Sequence, residues 1–200
     1  LLLNPDKSKL SKRHGDVAVE SFLLKGYLKE SIINFVSLLG WHPDNEQEIF
    51  NLDQLINIFS IKRIIKSGAI FDVEKLDWMN SIYLKNIENN QIAELASPLY
   101  KKENIDIDLN KEKYYRVLDY GKNRVNKLND IVEETKIFYI KPKIDKIELE
   151  KFEYKNLFNF WIEKLKNIKV VDESIITSTI KNTQDTLQIS GKNLFCPLRL

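Results

Sequence analysis

The sequence predicts an all-α protein. Apolar residues recur at intervals of three and four in one stretch after another, as on the buried stripe of a helix. Capping residues and glycines punctuate those stretches. No convincing run alternates apolar and polar residues as a half-buried strand would.

Leu1-Leu2-Leu3 reads as the tail of a buried strand. Asn4 to Gly15 is polar and basic, with Pro5 and Gly15 as punctuation, and reads as a loop. Lys7, Lys9, Lys12 and Arg13 face one acid there, Asp6. Asp16 is expected to cap a helix through Ala18, Phe22 and Leu23 that ends near Gly26. Ile32, Ile33, Phe35, Val36 and Leu39 place a helix over Lys29 to Leu39, stopped at Gly40, with a turn from Trp41 to Asn45. Leu52, Leu55, Ile56 and Phe59 mark another amphipathic stretch, and Ile61 to Ile65 a short helix closed by Ser67-Gly68. Asp72 is placed as the cap of a helix from Val73 to about Leu84.

Short helices over Ile87 to Leu95 and Leu99 to Glu103 are expected around Pro98, because an interior proline removes a hydrogen bond. Lys111 to Val125 and Lys127 to Phe138 follow. Pro142 breaks the pattern inside the charged stretch Lys141 to Lys151. Tyr154 to Ile168 and Glu173 to Ile189 complete the set, with Gly191 as the final stop. The helices stack as pairs, and internal boundaries are expected near residues 85–90 and near Pro142.

Bulk properties narrow the class. With 43% hydrophobic and 30% charged residues, the chain can fold around real cores and is not a disordered tail. The 31 Lys and Arg nearly balance 29 Asp and Glu, so a nucleic-acid surface must come from uneven placement. The single cysteine, Cys196, excludes an internal disulfide and a cysteine-rich zinc site. His14 and His42 lie far apart, and no metal-ligand set is expected. No apolar run is long enough for a membrane span.

The sharpest chemical signal is Lys9-Leu10-Ser11-Lys12-Arg13. Two ammonium groups three residues apart follow the oxygens of a polyphosphate as negative charge builds in a transition state. Ser11 can hold the loop turn with its hydroxyl. A bare lysine–serine–lysine loop is also what an ordinary solvated loop looks like, so the flanking residues decide.

Those flanks resemble a known family. Lys9 to Asp16 resembles the KMSKS signature as glutamyl-tRNA synthetases carry it, and Leu3-Asn4-Pro5-Asp6-Lys7 is similar to its approach. Gly26-Tyr27, Asn34 to Trp41, Phe59-Ser60 with Arg63, and Ala69 to Asn80 continue the likeness in order. Within the last, Phe71-Asp72-Val73-Glu74-Lys75-Leu76-Asp77-Trp78-Met79-Asn80 is the most specific string. The likeness is weaker onward, with Pro197-Leu198-Arg199 as a late counterpart.

The resemblance implies an enzyme that joins glutamate to its tRNA with ATP and Mg²⁺ through a glutamyl-adenylate. Lys9, Ser11 and Lys12 would belong to the catalytic loop, and Lys9, Lys12 and Arg13 would meet the ATP phosphates. It implies a stem-contact domain over residues 1–86, then an α-helical anticodon-binding cage in two parts, 87–140 and 141–200. The Rossmann-like catalytic core is expected to be absent, so this stretch alone is expected to be inactive, with no cofactor bound. Arg124, in Arg124-Val125-Asn126-Lys127-Leu128, matches the family's arginine at a helix junction. It would read the third anticodon base and favour tRNA-Glu over tRNA-Gln.

Lys75, Trp78, Lys127, Pro197 and Leu198 are the further tRNA-contact candidates. Core packing competes for Trp78, and a plain solvated lysine competes for Lys75. The aromatic set Phe152, Tyr154, Phe158, Phe160 and Trp161 fits core packing better than base stacking. A monomer in the cytoplasm, without membrane partners, is expected. A non-enzymatic helical RNA-binding module and a synthetase that accepts both tRNAs are the competing functions.

Overall fold

The structure, a computed structural model, describes residues 2–10, 18–107 and 111–199. It divides into two compact units, Leu1–Lys141 and Pro142–Leu200. The all-α expectation holds, with one addition: β1 (Leu2–Leu3) pairs in parallel with β2 (Ala69–Ile70). β1 is a strand, as expected, but not a buried one, because Leu2 is 40% exposed. Among the described residues the rest of the regular structure is helical.

The first unit begins with α1 (Val19–Leu24), α2 (Lys29–Leu39) and α3 (Leu52–Ile58). The expected Asp16 cap lies outside the described residues, and Ala18 holds the N-cap position of α1 without a side-chain hydrogen bond. α3 carries a reciprocal cap. The Asn51 side chain accepts from Gln54 N–H and the Gln54 side chain accepts from Asn51 N–H. The helix expected over Ile61 to Ile65 is a single 3₁₀ turn, Ile61–Arg63, because Ile64 is drawn into a bridge with Trp41.

α4 (Val73–Asn86) starts where expected, its Lys75 N–H donating to the Asp72 side chain. α5 (Asn89–Lys102) corrects the reading around Pro98: it is one helix with Pro98 inside. Pro98 faces solvent, where water can satisfy the freed carbonyl, while Ile92, Ala96 and Tyr100 anchor the opposite face.

α6 (Lys111–Lys122) ends three residues before the expected Val125. Asn123 Nδ2 donates back to the Asp119 carbonyl at 2.6 Å and Arg124 N–H to the Gly121 carbonyl at 2.9 Å, closing the last turn. The single helix expected over Lys127 to Phe138 is instead a 3₁₀ turn, then α7 (Ile131–Thr135), then a second 3₁₀ turn. At its start Leu128 N–H is diverted to the Gly26 carbonyl at 2.9 Å, and at its end the Thr135 hydroxyl competes for the Ile131 carbonyl.

Three cores fill this unit. Phe22, Tyr27, Ile32, Phe35, Leu76 and Met79 join α1, α2 and α4. Trp41, Phe50 and Leu55 seat α3. The largest gathers Leu28, Leu84, Ile92, Ala96, Tyr100, Leu118, Val125, Leu128 and Ile131, so residues before and after position 87 share one interior. Gly121 is placed by packing: a Cβ there would stand 2.7 Å from Thr135 Cγ2 and 2.8 Å from Ile131 Cγ1.

The second unit contains α8 (Lys146–Leu149), which the charge run around it hid from the sequence reading, and α9 (Tyr154–Leu165), α10 (Glu173–Leu187) and α11 (Gly191–Phe195). Asp172 caps α10 through Ile175 N–H, and that donor holds its carboxyl below the usual range. Gly191 does not end α10, as was expected of it. Gln188 takes the left-handed conformation (φ 55°) and its amide donates to the Asp185 carbonyl at 2.8 Å, while Gly191 opens α11. Leu149, Leu157 and Leu194 are buried, and Trp161 Nε1 donates to Thr183 Oγ1 at 3.0 Å. Phe152, Tyr154, Phe158, Phe160 and Trp161 are half-buried.

Candidate nucleic-acid interface

The basic loop is built before it is charged. Lys7 N–H donates to the Asn4 carbonyl and Asn4 N–H to the Ser8 carbonyl, both at 2.8 Å, with Lys7 in the left-handed region (φ 66°). Ser8 N–H donates to the Asp6 side chain at 2.9 Å. The chain then returns to β1, Lys9 bridging Leu3 and Leu10 N–H meeting the Leu2 carbonyl at 3.0 Å. Lys9 is therefore fixed at its backbone and exposed at its side chain. Ser11, Lys12, Arg13 and His14 lie outside the described residues.

A second feature is a buried polar junction that joins three parts of the first unit. Asn80, in α4, is fully buried. Its carbonyl oxygen accepts from Leu28 N–H at 2.8 Å and from the Ser31 hydroxyl at 2.7 Å, and its amide donates to the Asn126 carbonyl at 2.5 Å. Every strong hydrogen-bonding valence of the side chain except one N–H is thus spent on fixing the Gly26–Leu28 turn against the segment that follows α6. Asn129 Nδ2 reinforces it by donating to the Leu24 carbonyl at 2.7 Å. Beside it the Tyr27 hydroxyl donates to Asp77, and burial with that carboxylate pushes the phenol well above its ordinary range. Nothing in the sequence marks Asn80 beyond its place at the end of the string from Phe71, because a lone buried asparagine has no periodic signature.

The tRNA-contact candidates divide by their surroundings. Trp78 is 44% exposed on α4, which corrects the core reading: the buried stripe runs through Leu76, Met79 and Asn80, and Trp78 points off it. Lys75 is ion-paired with Glu48, so a phosphate there would compete with an existing partner. Lys127 sits 4.0 Å from Asp77 and 5.9 Å over the Tyr27 ring. Pro197 is buried and Leu198 half-buried in the second unit; both pack rather than present an open face. Cys196 is a half-buried free thiol. His42 hydrogen-bonds the Pro43 carbonyl through Nδ1 at 3.0 Å. Among the described residues no group of His, Cys, Asp and Glu could hold a metal ion, and no helix is long and apolar enough to cross a membrane.

Arg124 stands just past the end of α6. Its guanidinium lies 3.7 Å over the Tyr120 ring, with Nε 3.6 Å from Glu134 and a long contact of 3.4 Å to the Tyr120 carbonyl. The side chain is about half exposed. Tyr120 in turn meets the Phe138 ring edge-on at 5.1 Å. A planar cation held flat on an aromatic face, with its outer edge in solvent, is equipped to donate paired hydrogen bonds to a base or a phosphate. The sequence pattern pointed to Arg124 but missed Tyr120, Glu134 and Phe138, which the fold brings to it from α6, α7 and the 3₁₀ turn after it.

Comparison with known proteins places this arrangement. Residues 1–78 match the model for class I tRNA synthetases (E and Q), catalytic domain, and residues 91–200 match the anticodon binding domain. A glutamate–tRNA ligase of Natranaerobius thermophilus is 36% identical over 211 residues, covering all of this chain and 43% of the relative. One from Prosthecochloris aestuarii is 44% identical over 153 residues, 72% of this chain and 30% of the relative. The crystal structure of a glutamate tRNA ligase from Elizabethkingia meningosepticum superposes with a TM-score of 0.82 at 26% identity, over all of this chain and 44% of that one. The chain thus spans less than half the length of the relatives it matches. The first matched stretch carries the lysine loop and the second carries Arg124; on these matches the chain belongs to the glutamate–tRNA ligase family of class I tRNA synthetases.

Proposed function

We propose that the chain is the tRNA-reading portion of an enzyme that activates glutamate with ATP and transfers it to tRNA-Glu. The observation that carries this reading is Arg124: a half-exposed guanidinium stacked on Tyr120, inside the stretch that matches the anticodon binding domain. In this reading residues 1–86 serve the tRNA stem and the ATP-site loop. Residues 87–140 and 141–200 form the two parts of the anticodon reader.

Lys9 fits a role toward ATP, since its backbone is pinned to Leu3 while its ammonium is exposed. Together with Lys12 it would neutralise charge on the phosphates during adenylate formation, Ser11 shaping the turn and Arg13 adding a third cation. Bound ATP with Mg²⁺ supplies the activated phosphoryl chemistry; the residues here bind and orient it. In the complete enzyme, glutamate enters through the rest of the catalytic domain. The protein is read as a cytoplasmic monomer, and this stretch alone as inactive.

Trp78 and Lys127 are exposed or half-exposed candidates for the tRNA backbone. Lys75 would contact it only by leaving Glu48. Arg124 would donate to the third anticodon base and so favour tRNA-Glu over tRNA-Gln. Arg124→Gln keeps hydrogen-bonding atoms and removes the charge and the stacked plane. It is expected to narrow the ratio of the two dissociation constants by about tenfold, the size of one good base contact. An unchanged ratio would sink the assigned role of Arg124.

A further inference from the structure

α6 carries Glu112, Arg116, Tyr120 and, one turn further along the chain, Arg124. Glu112, Arg116 and Tyr120, spaced by four, form one ridge of the helix, and Arg124 follows just past its end. Beside that ridge is an open pocket of about 500 Å³ lined by Glu112, Lys113, Arg116, Val117, Tyr120 and Phe138. That volume lies inside the roughly 300–1,000 Å³ range of small-ligand sites. Its chemistry is divided along its length. Phe138 is 41% exposed and stands edge-on to Tyr120, so Phe138 offers an exposed aromatic ring beside it. Arg116 is exposed, and among the described residues it makes no ion pair or hydrogen bond. Lys113 lies 5.1 Å over the Tyr139 ring at the back. Glu112 is the only acid of the lining and sits at the end away from Arg124.

From this we infer a second nucleotide site next to Arg124: an unpaired RNA nucleotide stacks its base on the Phe138 ring and sets its phosphate against Arg116. The inference rests on the proposed reading of Arg124, whose guanidinium shares the Tyr120 ring with this pocket. The two sites divide the work. Arg124 offers directional donors and selects among bases. The Phe138 ring offers only a π-face, which every base can use, so this site adds affinity without choice.

The test compares Phe138→Ala, Phe138→Leu and Arg116→Gln with the wild type for binding of tRNA-Glu and tRNA-Gln transcripts at one salt concentration. It adds a set of tRNA-Glu molecules that each lack one base of the anticodon loop. Each variant is expected to weaken both tRNAs by the same factor, about 5- to 20-fold for loss of one stacked base or its phosphate contact. The ratio between the tRNAs should stay fixed. One abasic tRNA-Glu should bind the wild type equally weakly and lose nothing more on Phe138→Leu. Phe138→Leu keeps apolar volume at that position, and Arg116 is exposed, so these two variants carry the test if Phe138→Ala does not fold. Unchanged affinity in both, with Arg124→Gln still altering the ratio, overturns this site and leaves the role of Arg124 standing. A loss in Phe138→Leu that persists on every abasic tRNA also overturns it, as a purely structural effect. Absence of wild-type binding overturns both readings.

Discussion

Replacing Asn80 with alanine is expected to destabilise the Leu1–Lys141 unit by about 3 kcal/mol, from buried polar groups left unsatisfied at roughly 1–3 kcal/mol each. The side chain has no solvent exposure and serves Leu28 N–H, the Ser31 hydroxyl and the Asn126 carbonyl at once. Ser31 can fall back on the Leu28 carbonyl, 2.8 Å from its hydroxyl. Leu28 N–H and the Asn126 carbonyl have no such substitute, and the cavity left in α4 is too polar to close as a hydrophobic one does. A urea titration followed by hydrogen exchange at Leu28 and Leu128 checks this. The midpoint should fall, and both amides should lose protection together, since Leu128 N–H is held to the Gly26 carbonyl across the same junction. A change below about 1 kcal/mol, within the range of ordinary substitutions, would mean that the junction is not held by Asn80.

Gly26→Ala attacks the same junction from the backbone. Gly26 has φ 91°, a conformation that a side chain strains, and an added Cβ would lie 2.6 Å from the Asn129 backbone nitrogen. The Asn129 backbone cannot simply move aside: Leu128 N–H is bound to the Gly26 carbonyl and Asn129 Nδ2 to the Leu24 carbonyl. Strain and overpacking together predict a loss of about 3 kcal/mol. Gly40→Ala is the matched control. Gly40 has φ −126° and open space where its Cβ would go, so its substitution is expected to stay within about 0.5 kcal/mol of neutral. Comparable thermal shifts in the two variants would contradict the account of Gly26. Both junction predictions bear on function, because the segment that Asn80 and Gly26 hold begins two residues after Arg124.

The helices with a buried stripe were legible in the sequence because periodicity and caps agree. α2 ends at Gly40 and α4 starts behind Asp72, as the pattern requires. The departures share a cause: a distant partner decided a local question. Pro98 is tolerated in α5 because it lands on the solvent face. The stretch after Lys127 breaks into short turns because Gly26, a hundred residues earlier, claims the Leu128 amide. Gln188 rather than Gly191 ends α10 because an amide side chain supplies the acceptor's missing partner.

Legibility of the interface followed the same division. Lys9 and Arg124 were found because a short string carries them. Tyr120, four residues before Arg124, belongs to no such string, and only the packing of α7 and the turn after it against α6 brings Glu134 and Phe138 there. For Trp78 core packing competed with the tRNA-contact reading because a tryptophan at helical spacing is more often inside. On α4 the stripe passes one position away from it.

Whether this chain reads tRNA is decided by equilibrium binding of the chain to tRNA-Glu across a salt series, with a tRNA of unrelated anticodon alongside. The logarithm of the affinity is expected to fall linearly with the logarithm of salt concentration, as phosphate contacts require. A preference for tRNA-Glu is expected to survive at every salt concentration, since base contacts carry the choice. Equal affinity for both RNAs, or none for either, would contradict it.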